Sequence, residues 1–329
     1  MRTSFKRTHL LFTLFALLAF ATAAAAADPG VAYPSASEVS DQKAGSILVY
    51  NIYTSAAAGG ANHNTRINIT NTSSSTQAYV HLFFVSADCG IADSYVCLTA
   101  NQTATFLASD VDPGVKGYIV AIAVDRDFGC PLGFNFLIGD EHVKFPTGHT
   151  ANLGAEAFAA LYTGRAANCD SFIASLALDG QQYNQAPRAL AADNIPSRAD
   201  GNDTMLIVNR IGGSLSTGAS TTGTLFGILY DDAENAASYS INGACQIMNS
   251  LSNAFPRTTP RFETFIPSGR TGWTKIYNQT ADAGLLGAIL NFNPNSGTQT
   301  TAFTGGRNLH KLTLATANTL TIPVFPPSC

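Results

Sequence analysis

From Gly45 onward the chain is a succession of short runs of β-branched and aromatic residues, separated by glycine, asparagine, aspartate, serine and proline. Residues 66–70 alternate strictly, with Ile67 and Ile69 on one face and polar residues on the other. Residues 118–124 are apolar at every position, which is typical of a central strand covered on both sides. Runs of this length and spacing are typical of antiparallel strands, so the sequence predicts an all-β fold.

Composition limits the alternatives to this prediction. Hydrophobic residues make up 46% of the 329 residues, and charged residues make up 12%. Wholesale disorder requires low hydrophobicity and high net charge, so this composition excludes it. A coiled coil is also excluded, because it would be dominated by Ala, Glu, Lys, Leu and Arg.

The N-terminus has the pattern of an export signal. Arg2, Lys6 and Arg7 are followed by an apolar run over residues 10–20 and by an alanine tract that ends at Ala27. This pattern predicts a signal peptide over residues 1–27 that is removed after Ala27. A membrane anchor is the alternative, but the run is too short to span a bilayer comfortably. We therefore expect a periplasmic, cell-surface or extracellular protein, with residues 28–44 as an N-terminal arm.

The net charge of the chain limits the kinds of partner that it is expected to bind. Cleavage would remove three of the 18 basic side chains and none of the 22 acidic ones, which leaves a formal charge of −7. An acidic chain offers no basic track for nucleic acid and no polybasic patch for anionic lipids. The expected partners are other envelope or extracellular proteins, glycans or further copies of the chain, with no nucleic acid and no transmembrane anchor.

Six cysteines remain after the predicted cleavage, and an even number in an exported chain indicates three disulfides. Short separation and confinement to one half of the chain favour the pairs Cys89–Cys97, Cys130–Cys169 and Cys245–Cys329. The alternative is that some are free buried thiols. A zinc site is disfavoured because no Cys-x-x-Cys occurs.

Four runs of the first half recur in the same order in the second half. Residues 48–51 resemble 206–209, 82–85 resemble 226–230, 105–109 resemble 264–268, and 117–122 resemble 284–289. This order predicts an internal duplication, and the alternative is that all β-sandwiches contain similar runs.

We therefore predict two tandem antiparallel β-sandwich domains over residues 45–180 and 204–329. One short helix is expected in the first half, because Leu153, Ala157 and Leu161 form a stripe at helical spacing. Residues 181–203, rich in Gln, Asn and Ala, are predicted to be a linker or a long loop. The architecture resembles immunoglobulin-like sandwiches of exported bacterial proteins. The antibody Cys–Trp–Cys signature is missing, so this resemblance assigns no functional residues.

Acidic and histidine clusters are the candidate metal ligands. The densest group contains Asp140, Glu141, His142 and His149, but it matches no helix-borne ligand pair. Calcium in an acidic loop is the one cofactor considered, at Asp110 with Asp112 or at Asp125 with Asp127. Asp231, Asp232 and Glu234 form a third such loop. The alternative is that these aspartates initiate turns by accepting hydrogen bonds from their own backbone.

No catalytic residues are assigned, because the chain contains no Gly-x-Ser-x-Gly, Gly-x-Gly-x-x-G or phosphate-binding loop. Trp273 and Tyr277, with Phe262 and Phe265 nearby, are candidates for a sugar-stacking face, although aromatic residues in β-domains usually belong to the core. The sequence favours an exported, non-catalytic structural, adhesive or interaction protein that could self-assemble. The alternatives are a glycan- or calcium-binding module and a secreted hydrolase that uses paired carboxylates.

Overall fold

The computed structural model describes residues 38–56, 63–170, 172–252, 254–315 and 317–329. The predicted signal peptide and most of the predicted arm lie outside the described residues. The fold is almost entirely β, with 54% of the described residues in strands and 4% in helices. Within the described ranges, no helix is long and apolar enough to cross a membrane.

Ten strands form the part of the chain that we call the first half, residues 47–158. They are β1 (Ile47–Thr54), β2 (Asn64–Asn71), β3 (Ala78–Ser86), β4 (Ile91–Leu98), β5 (Thr103–Leu107), β6 (Lys116–Val124), β7 (Leu132–Gly133), β8 (Leu137–Lys144), β9 (Thr150–Gly154) and β10 (Glu156–Phe158). A single 3₁₀ turn, Ala108–Asp110, follows β5. The short strands β11 (Gly164–Arg165) and β12 (Ile173–Ala177) lead towards the second half.

The second half, residues 187–314, contains eleven strands. They are β13 (Pro187–Pro196), β14 (Asp203–Ile211), β15 (Gly213–Ser214), β16 (Gly218–Ala219), β17 (Gly223–Tyr230), β18 (Ala236–Gly243), β19 (Gln246–Ser250), β20 (Thr271–Asn278), β21 (Gly284–Phe292), β22 (Gly305–Asn308) and β23 (His310–Leu314). A 3₁₀ turn, Arg198–Asp200, follows β13, and a helix, α1 (Phe262–Phe265), precedes β20. The last strand is β24 (Thr319–Pro323).

Each half is a pair of facing antiparallel sheets. In the first half the order β10-β1-β6-β3-β4 faces β5-β2-β8-β9. In the second half the order β18-β17-β20-β13-β23 faces β19-β14-β21-β22. Apolar side chains fill the space between the facing sheets, with Tyr50, Ile67 and Phe84 in one core and Leu206 and Ile276 in the other. Burying such side chains is the dominant favourable contribution to folding.

The second half repeats the strand pairing of the first. Taken in chain order, β1–β6 and β8–β10 correspond to β13, β14 and β17–β23, and every neighbour relation within both pairs of sheets is the same. The register of pairing agrees as well. A bulge shifts the pairing of β1 with β6 in the first half, and a bulge shifts the pairing of β13 with β20 in the second half. The bulge lies between Tyr50 and Tyr53 in β1, and between Ala192 and Ile195 in β13.

A glycine lies at an equivalent position on the strand opposite each bulge, where it pairs with the first residue after the bulge. A Cβ on Gly117 of β6 would lie 1.9 Å from the carbonyl oxygen of Val85, and one on Gly272 of β20 would lie 2.4 Å from that of Tyr230. Both distances are impossible for real atoms, so only glycine fits where these strands come together. The following hairpins also agree, since Val85 pairs with Ile91 and Tyr230 pairs with Ala236.

The structure corrects most of the sequence matches that predicted the repeat. Only the match between residues 82–85 and 226–230 joins equivalent strands, β3 and β17. The runs 48–51 and 117–122 lie in β1 and β6, whose counterparts are β13 and β20 rather than β14 and β21. Similar apolar runs occur in several strands of one sandwich, so local similarity did not identify the correct partner strand.

The predicted helix near residues 153–161 is wrong. Residues 150–154 and 156–158 form β9 and β10, in which Leu153 and Ala157 are buried between sheets. Leu161 is 50% exposed, so the three residues do not share one apolar face. Within the described ranges the α-helix is α1, where no helix was predicted.

The prediction of a linker or long loop over residues 181–203 is also corrected. Residues 187–196 form β13, which lies between β20 and β23 and carries the buried Leu190 and Ile195. Pro187 and Pro196 are the first and last residues of this strand, where a missing backbone donor is best tolerated. Small alanine side chains at the positions between them pack closely, which gave the segment its loop-like composition.

A third sheet, β12-β24-β15-β16, connects the two halves. We call it the cover sheet, because Leu176, Leu320 and Ile322 pack on the outer face of β10-β1-β6-β3-β4. A separate cluster with Ile52 and Ile207 packs the halves against each other directly. The predicted domain boundaries at 180 and 204 therefore cut through shared structure. The narrower immunoglobulin-like description stays a prediction.

Three disulfides are present, as predicted, but two of the predicted pairs are wrong. Cys130–Cys169 is confirmed, whereas the other bridges are Cys89–Cys245 and Cys97–Cys329. Cys89 lies in the turn before β4 and Cys97 lies near the end of that extended strand. A strand rises by about 3.3 Å per residue, so Cys89 and Cys97 are too far apart to form a bridge.

Candidate functional site

The candidate site is the outer face of β17 and β20 in the second half. Side chains on a strand alternate between faces, and here Leu225, Leu229 and Ile276 point inward to the core. The intervening residues point outward, and pairing places them opposite one another. The pairs are Phe226 with Tyr277, Ile228 with Lys275, and Tyr230 with Trp273. We call this set of six residues the open face.

Two aromatic pairs dominate the open face. The rings of Tyr230 and Trp273 are stacked, with centroids 4.6 Å apart and planes inclined by 15°. The rings of Phe226 and Tyr277 are 5.4 Å apart and tilted by 54°. The two aromatics of each strand are four positions apart, so the pairs are separated by about 13 Å along the sheet. Trp273 is 38% exposed and the other three rings are half-buried, so all four present surface to solvent.

Polar side chains border the aromatic rings on one side. The neighbouring strand β18 places Ser238, Ser240 and Asn242 opposite Ile228, Phe226 and Thr224, and all three are exposed. On the other side, β13 places Ala189 opposite Tyr277 and Ala191 opposite Lys275. Both alanines are buried, at 0% and 7% exposed. The result is a broad surface with rings along its centre and hydrogen-bonding groups along one margin.

The equivalent face of the first half is buried. Strand equivalence places Val85, Tyr118, Val120 and Ile122 at the positions of Tyr230, Trp273, Lys275 and Tyr277. All four first-half residues are at most 1% exposed, because the cover sheet packs on them. In the part of the chain that the structure describes, no corresponding sheet lies over the second half.

The structure brings Trp273 and Tyr277 onto one face, as a sugar-stacking site requires. It does not bring Phe262 and Phe265 there, because both belong to α1 and are buried in the core of the second half. Sequence reasoning missed Phe226 and Tyr230, the ring partners contributed by β17. The signal was present, because residues 224–230 alternate and place Phe226, Ile228 and Tyr230 on one side.

Most acidic candidates have structural contacts. Asp125 accepts hydrogen bonds from the backbone N–H groups of Phe128 and Cys130 at 2.8 and 3.1 Å, and it lies 2.9 Å from Arg165. Asp127, in the same turn, is exposed. Asp110 accepts a hydrogen bond from the backbone of Leu107 at 2.9 Å. Asp112 accepts one from the Tyr53 hydroxyl at 2.5 Å. Asp110 and Asp125 therefore bind the backbone of their own turns, and Asp112 binds the side chain of Tyr53.

The candidate metal ligands on and after β8 do not lie on one face, because successive side chains of a strand point to opposite faces. Asp140 accepts a hydrogen bond from Asn68 at 2.8 Å, and His142 is exposed. Glu141 points the opposite way and is completely buried. His149 is buried and contacts the Thr147 hydroxyl at 2.8 Å. Among the residues that the structure describes, no group of three or more His, Cys, Asp or Glu is arranged to hold a metal ion.

Glu141 has a structural explanation at the bulge of β1. Its carboxylate accepts a hydrogen bond from the backbone N–H of Ile52 at 3.2 Å, where the bulge leaves ladder groups unpaired. Burial raises the pKa of this carboxyl well above its ordinary value.

Glu156 forms an ion pair between the halves. Lys311 of β23 donates to both carboxylate oxygens of Glu156 in β10, at 2.7 and 2.6 Å. Burial raises the pKa of Glu156 to about 7, and the Lys311 ammonium opposes that shift. Glu141 and Glu156 are both fully buried and bonded to protein groups, so neither offers an accessible acid to the hydrolase alternative.

A buried histidine lies under the C-terminal residues. The His81 ring contacts the Asp93 carboxylate at 2.9 Å and the Tyr95 hydroxyl at 3.1 Å. Phe325 lies against the same ring, with centroids 5.1 Å apart. Burial lowers the pKa of His81, and the hydrogen bond to Asp93 opposes the shift. Strand equivalence places Phe226 of the open face at the position of His81.

Comparisons with known proteins do not assign the chain to a family. No protein-family model matches it, and no curated protein matches it significantly. Among solved structures it is similar to the crystal structure of Lactobacillus farciminis oxalate decarboxylase in its formate complex, at 9% identity over 76% of this chain and 77% of that one. The TM-score is 0.19, and a likeness at that level carries no argument about activity.

Proposed function

We propose that this chain is an exported, non-catalytic interaction protein that binds its partner through the open face. Three disulfides support an oxidising, extracytoplasmic compartment. The basic, apolar and alanine-rich N-terminus supports export.

The observation that carries this proposal is the difference between two equivalent faces. The face of the first half is apolar and is covered by protein. The face of the second half is uncovered within the described part of the chain and presents four aromatic rings. Contiguous exposed aromatic surface is uncommon in soluble proteins and indicates a binding site.

The open face is also suited to binding by its rigidity. Both strands are internal to a five-stranded sheet, so their backbone positions are held by hydrogen bonds on either side. The stacking of Trp273 on Tyr230 restricts the rotamers of both rings. Aromatic side chains have few rotatable bonds, so they supply contact area at a low cost in conformational entropy.

The test is binding to material from the source organism. Its envelope and secreted fractions are incubated with the full chain and with a Tyr230→Ala, Trp273→Ala variant, and bound protein is measured after sedimentation. We expect the variant to bind at least tenfold more weakly, since buried Trp and Tyr residues commonly carry binding energy of this size.

The matched control is Phe172→Ala. Phe172 is 78% exposed and precedes β12 of the cover sheet, remote in the pairing scheme from β17 and β20. It should bind as the unchanged chain does. A doubly substituted variant with unchanged circular dichroism and undiminished binding would contradict the proposed role of the open face.

A further inference from the structure

We infer that the chain has a second binding site, for a phosphate ester, in the loop between β19 and α1. This site is separate from the residues of the open face and goes beyond the proposed function. The loop forms a pocket of about 670 Å³ that is lined by Ala254, Arg257, Thr258, Thr259, Pro260 and Arg261. A pocket of this volume is in the size range of sites for small molecules.

The two arginines of the pocket lack the partners that other arginines of the chain have. Arg198, Arg270 and Arg307 lie 2.8, 3.0 and 2.7 Å from aspartate oxygens. Arg257 and Arg261 are exposed, and within the described ranges neither guanidinium bonds to a carboxylate or a carbonyl oxygen. The described lining of the pocket includes no aspartate or glutamate. A chain whose formal charge would be −7 after cleavage thus places two positive charges at one pocket without a counter-charge.

A buried hydroxyl in the same pocket also lacks a partner. Thr258 is 5% exposed, and its Oγ1 has no hydrogen-bond partner in the part of the chain that the structure describes. The side chains of Arg210 and Gln246 each contain one such atom, but both form hydrogen bonds through their other polar atoms. The hydroxyl is the single polar group of the Thr258 side chain. A buried polar group without a partner costs free energy, which a ligand that supplies the partner recovers.

These three groups together favour a phosphate over a carboxylate. A guanidinium presents its N–H donors in a planar fork that matches two oxygens of either anion. One arginine therefore satisfies both oxygens of a carboxylate. A phosphate monoester has three oxygens that point in different directions, so it can accept from two guanidiniums and a hydroxyl together. Its charge at neutral pH, about −1.5 to −2, also balances two arginines.

The volume of the pocket indicates that the phosphate is part of a larger molecule. A bare phosphate ion would fill a small fraction of 670 Å³. Ala254 and Pro260 supply apolar lining beside the charged groups, where the organic part of an ester can pack. We therefore expect a phosphate ester to bind more tightly than inorganic phosphate.

Calorimetric titration of the full chain in a phosphate-free buffer tests this site. The probes are glucose 6-phosphate, inorganic phosphate, glucose and acetate. We expect saturable binding of glucose 6-phosphate, weaker binding of inorganic phosphate and no binding of glucose. Acetate should bind at least tenfold more weakly than glucose 6-phosphate. Equal affinities for acetate and glucose 6-phosphate, or no binding of either phosphate probe, would overturn the inference.

A charge-matched pair of variants separates a built site from general attraction between charges. Arg257→Gln, Arg261→Gln should weaken the binding of glucose 6-phosphate at least tenfold, because hydrogen bonds to charged groups carry binding energy of this size. The control is Arg66→Gln, Arg126→Gln, which removes the same charge from two exposed arginines on other elements. It should bind as the unchanged chain does. Equal losses in the two proteins would overturn the inference.

Thr258→Val gives a readout that does not depend on charge. Without ligand its melting temperature should equal or exceed that of the unchanged chain, because the substitution removes a buried hydroxyl that has no partner. Its affinity for glucose 6-phosphate should fall about threefold or more, because the hydroxyl no longer donates to the ligand. A variant that melts at a lower temperature and binds as before would overturn the site.

Two further measurements identify the source of the phosphate and separate this site from the open face. Vesicles of phosphatidylcholine, with and without phosphatidic acid, are sedimented with the full chain. Capture by phosphatidic acid that Arg257→Gln, Arg261→Gln abolishes assigns the site to a lipid headgroup, and binding of the soluble ester alone assigns it to a free metabolite. The Tyr230→Ala, Trp273→Ala variant should bind glucose 6-phosphate as the unchanged chain does. A loss of that binding would overturn the independence of the two sites.

Discussion

At the scale of the residue, the buried carboxylates decide how stability depends on pH. Glu141 satisfies the bulge of β1, and Glu156 pairs with Lys311 between the halves. Neither is exposed, so burial raises the pKa of both groups. The exposed or partly exposed aspartates that sequence reasoning considered as metal ligands instead mostly hold turns and neighbouring side chains.

The charge of Glu156 should affect unfolding below neutral pH. Its pKa is about 7 in the folded chain and about 4.5 when the chain is unfolded and solvated. Between these values the folded state keeps a proton that the unfolded state has released, so raising the pH favours unfolding. We expect this group alone to lower the free energy of unfolding by about 3 kcal/mol across that window.

Urea unfolding at a series of pH values measures this effect. Glu156→Gln should reduce the decline by the share that Glu156 contributes, because glutamine does not titrate and Glu141, whose pKa burial also raises, is unchanged. Asp127→Asn is the control, since Asp127 is exposed and should not change the slope. A decline of full size in the Glu156→Gln protein would show that other groups cause it.

At the scale of the element, short pieces at the end of the chain complete structures that begin far earlier. Strand β24 pairs with β12 and β15, and residues 324–329, the C-terminal strap, continue from it. The strap is held by Cys97–Cys329 and by a hydrogen bond from Tyr95 to the carbonyl oxygen of Phe325 at 2.9 Å. It therefore shields His81 from solvent on the outer face of β3.

Removal of the strap should change the titration of His81. Deletion of residues 324–329, together with Cys97→Ser to avoid a free thiol, admits water to the ring. Burial is the main cause of the lowered pKa, so the pKa of His81 should rise in the shortened chain. The histidine ring resonances in an NMR titration measure the change.

Ser328→Ala is the matched control, because it alters an exposed strap residue and leaves Phe325 in place. It should leave the titration of His81 as it is. An unchanged pKa of His81 after the deletion would mean that β3, β4 and β6 alone shield the ring.

At the scale of the whole molecule, the two halves are joined by a buried amide network. Asn209 of β14 donates to the backbone oxygen of Asn51 in β1 at 2.8 Å, and Gln246 of β19 donates to Asn209 at 2.8 Å. Cys89–Cys245 and the cover sheet add further connections between the halves. We therefore expect the halves to unfold together, although each repeats the strand pairing of the other.

Asn209→Ala should destabilise both halves equally. Its loss leaves buried partners unpaired, at a cost of about 1–3 kcal/mol. Tryptophan emission reports on the second half through Trp273, and far-UV circular dichroism reports on both halves. The two denaturation curves should coincide in the unchanged chain and in the variant, and both should move to lower denaturant.

The exposed Asn295 provides the control for this substitution. Asn295→Ala should leave both curves where they are. Separate midpoints for emission and circular dichroism, in either protein, would show that the halves unfold independently.

The sequence by itself determined those features that depend on neighbours along the chain. Alternation in residues 66–70 and apolar runs such as 118–124 predicted strands, since the side-chain period of a strand is a local property. Cys130–Cys169 was predicted because both cysteines lie in the same half of the chain, although the same rule gave two wrong pairs. Trp273 and Tyr277 could be recognised as candidates because they lie four residues apart on one strand.

Only the tertiary structure decided which distant segments meet. Cys89 and Cys245 are 156 residues apart, and no local pattern indicates that their two turns come together. The alanine-rich composition of β13 predicted a linker, whereas the structure places this segment as a strand between β20 and β23. The cover sheet buries one of two equivalent faces because β24 returns from the C-terminus to only that half. The open face exists for this physical reason, since burial depends on what packs against a strand and not on the strand alone.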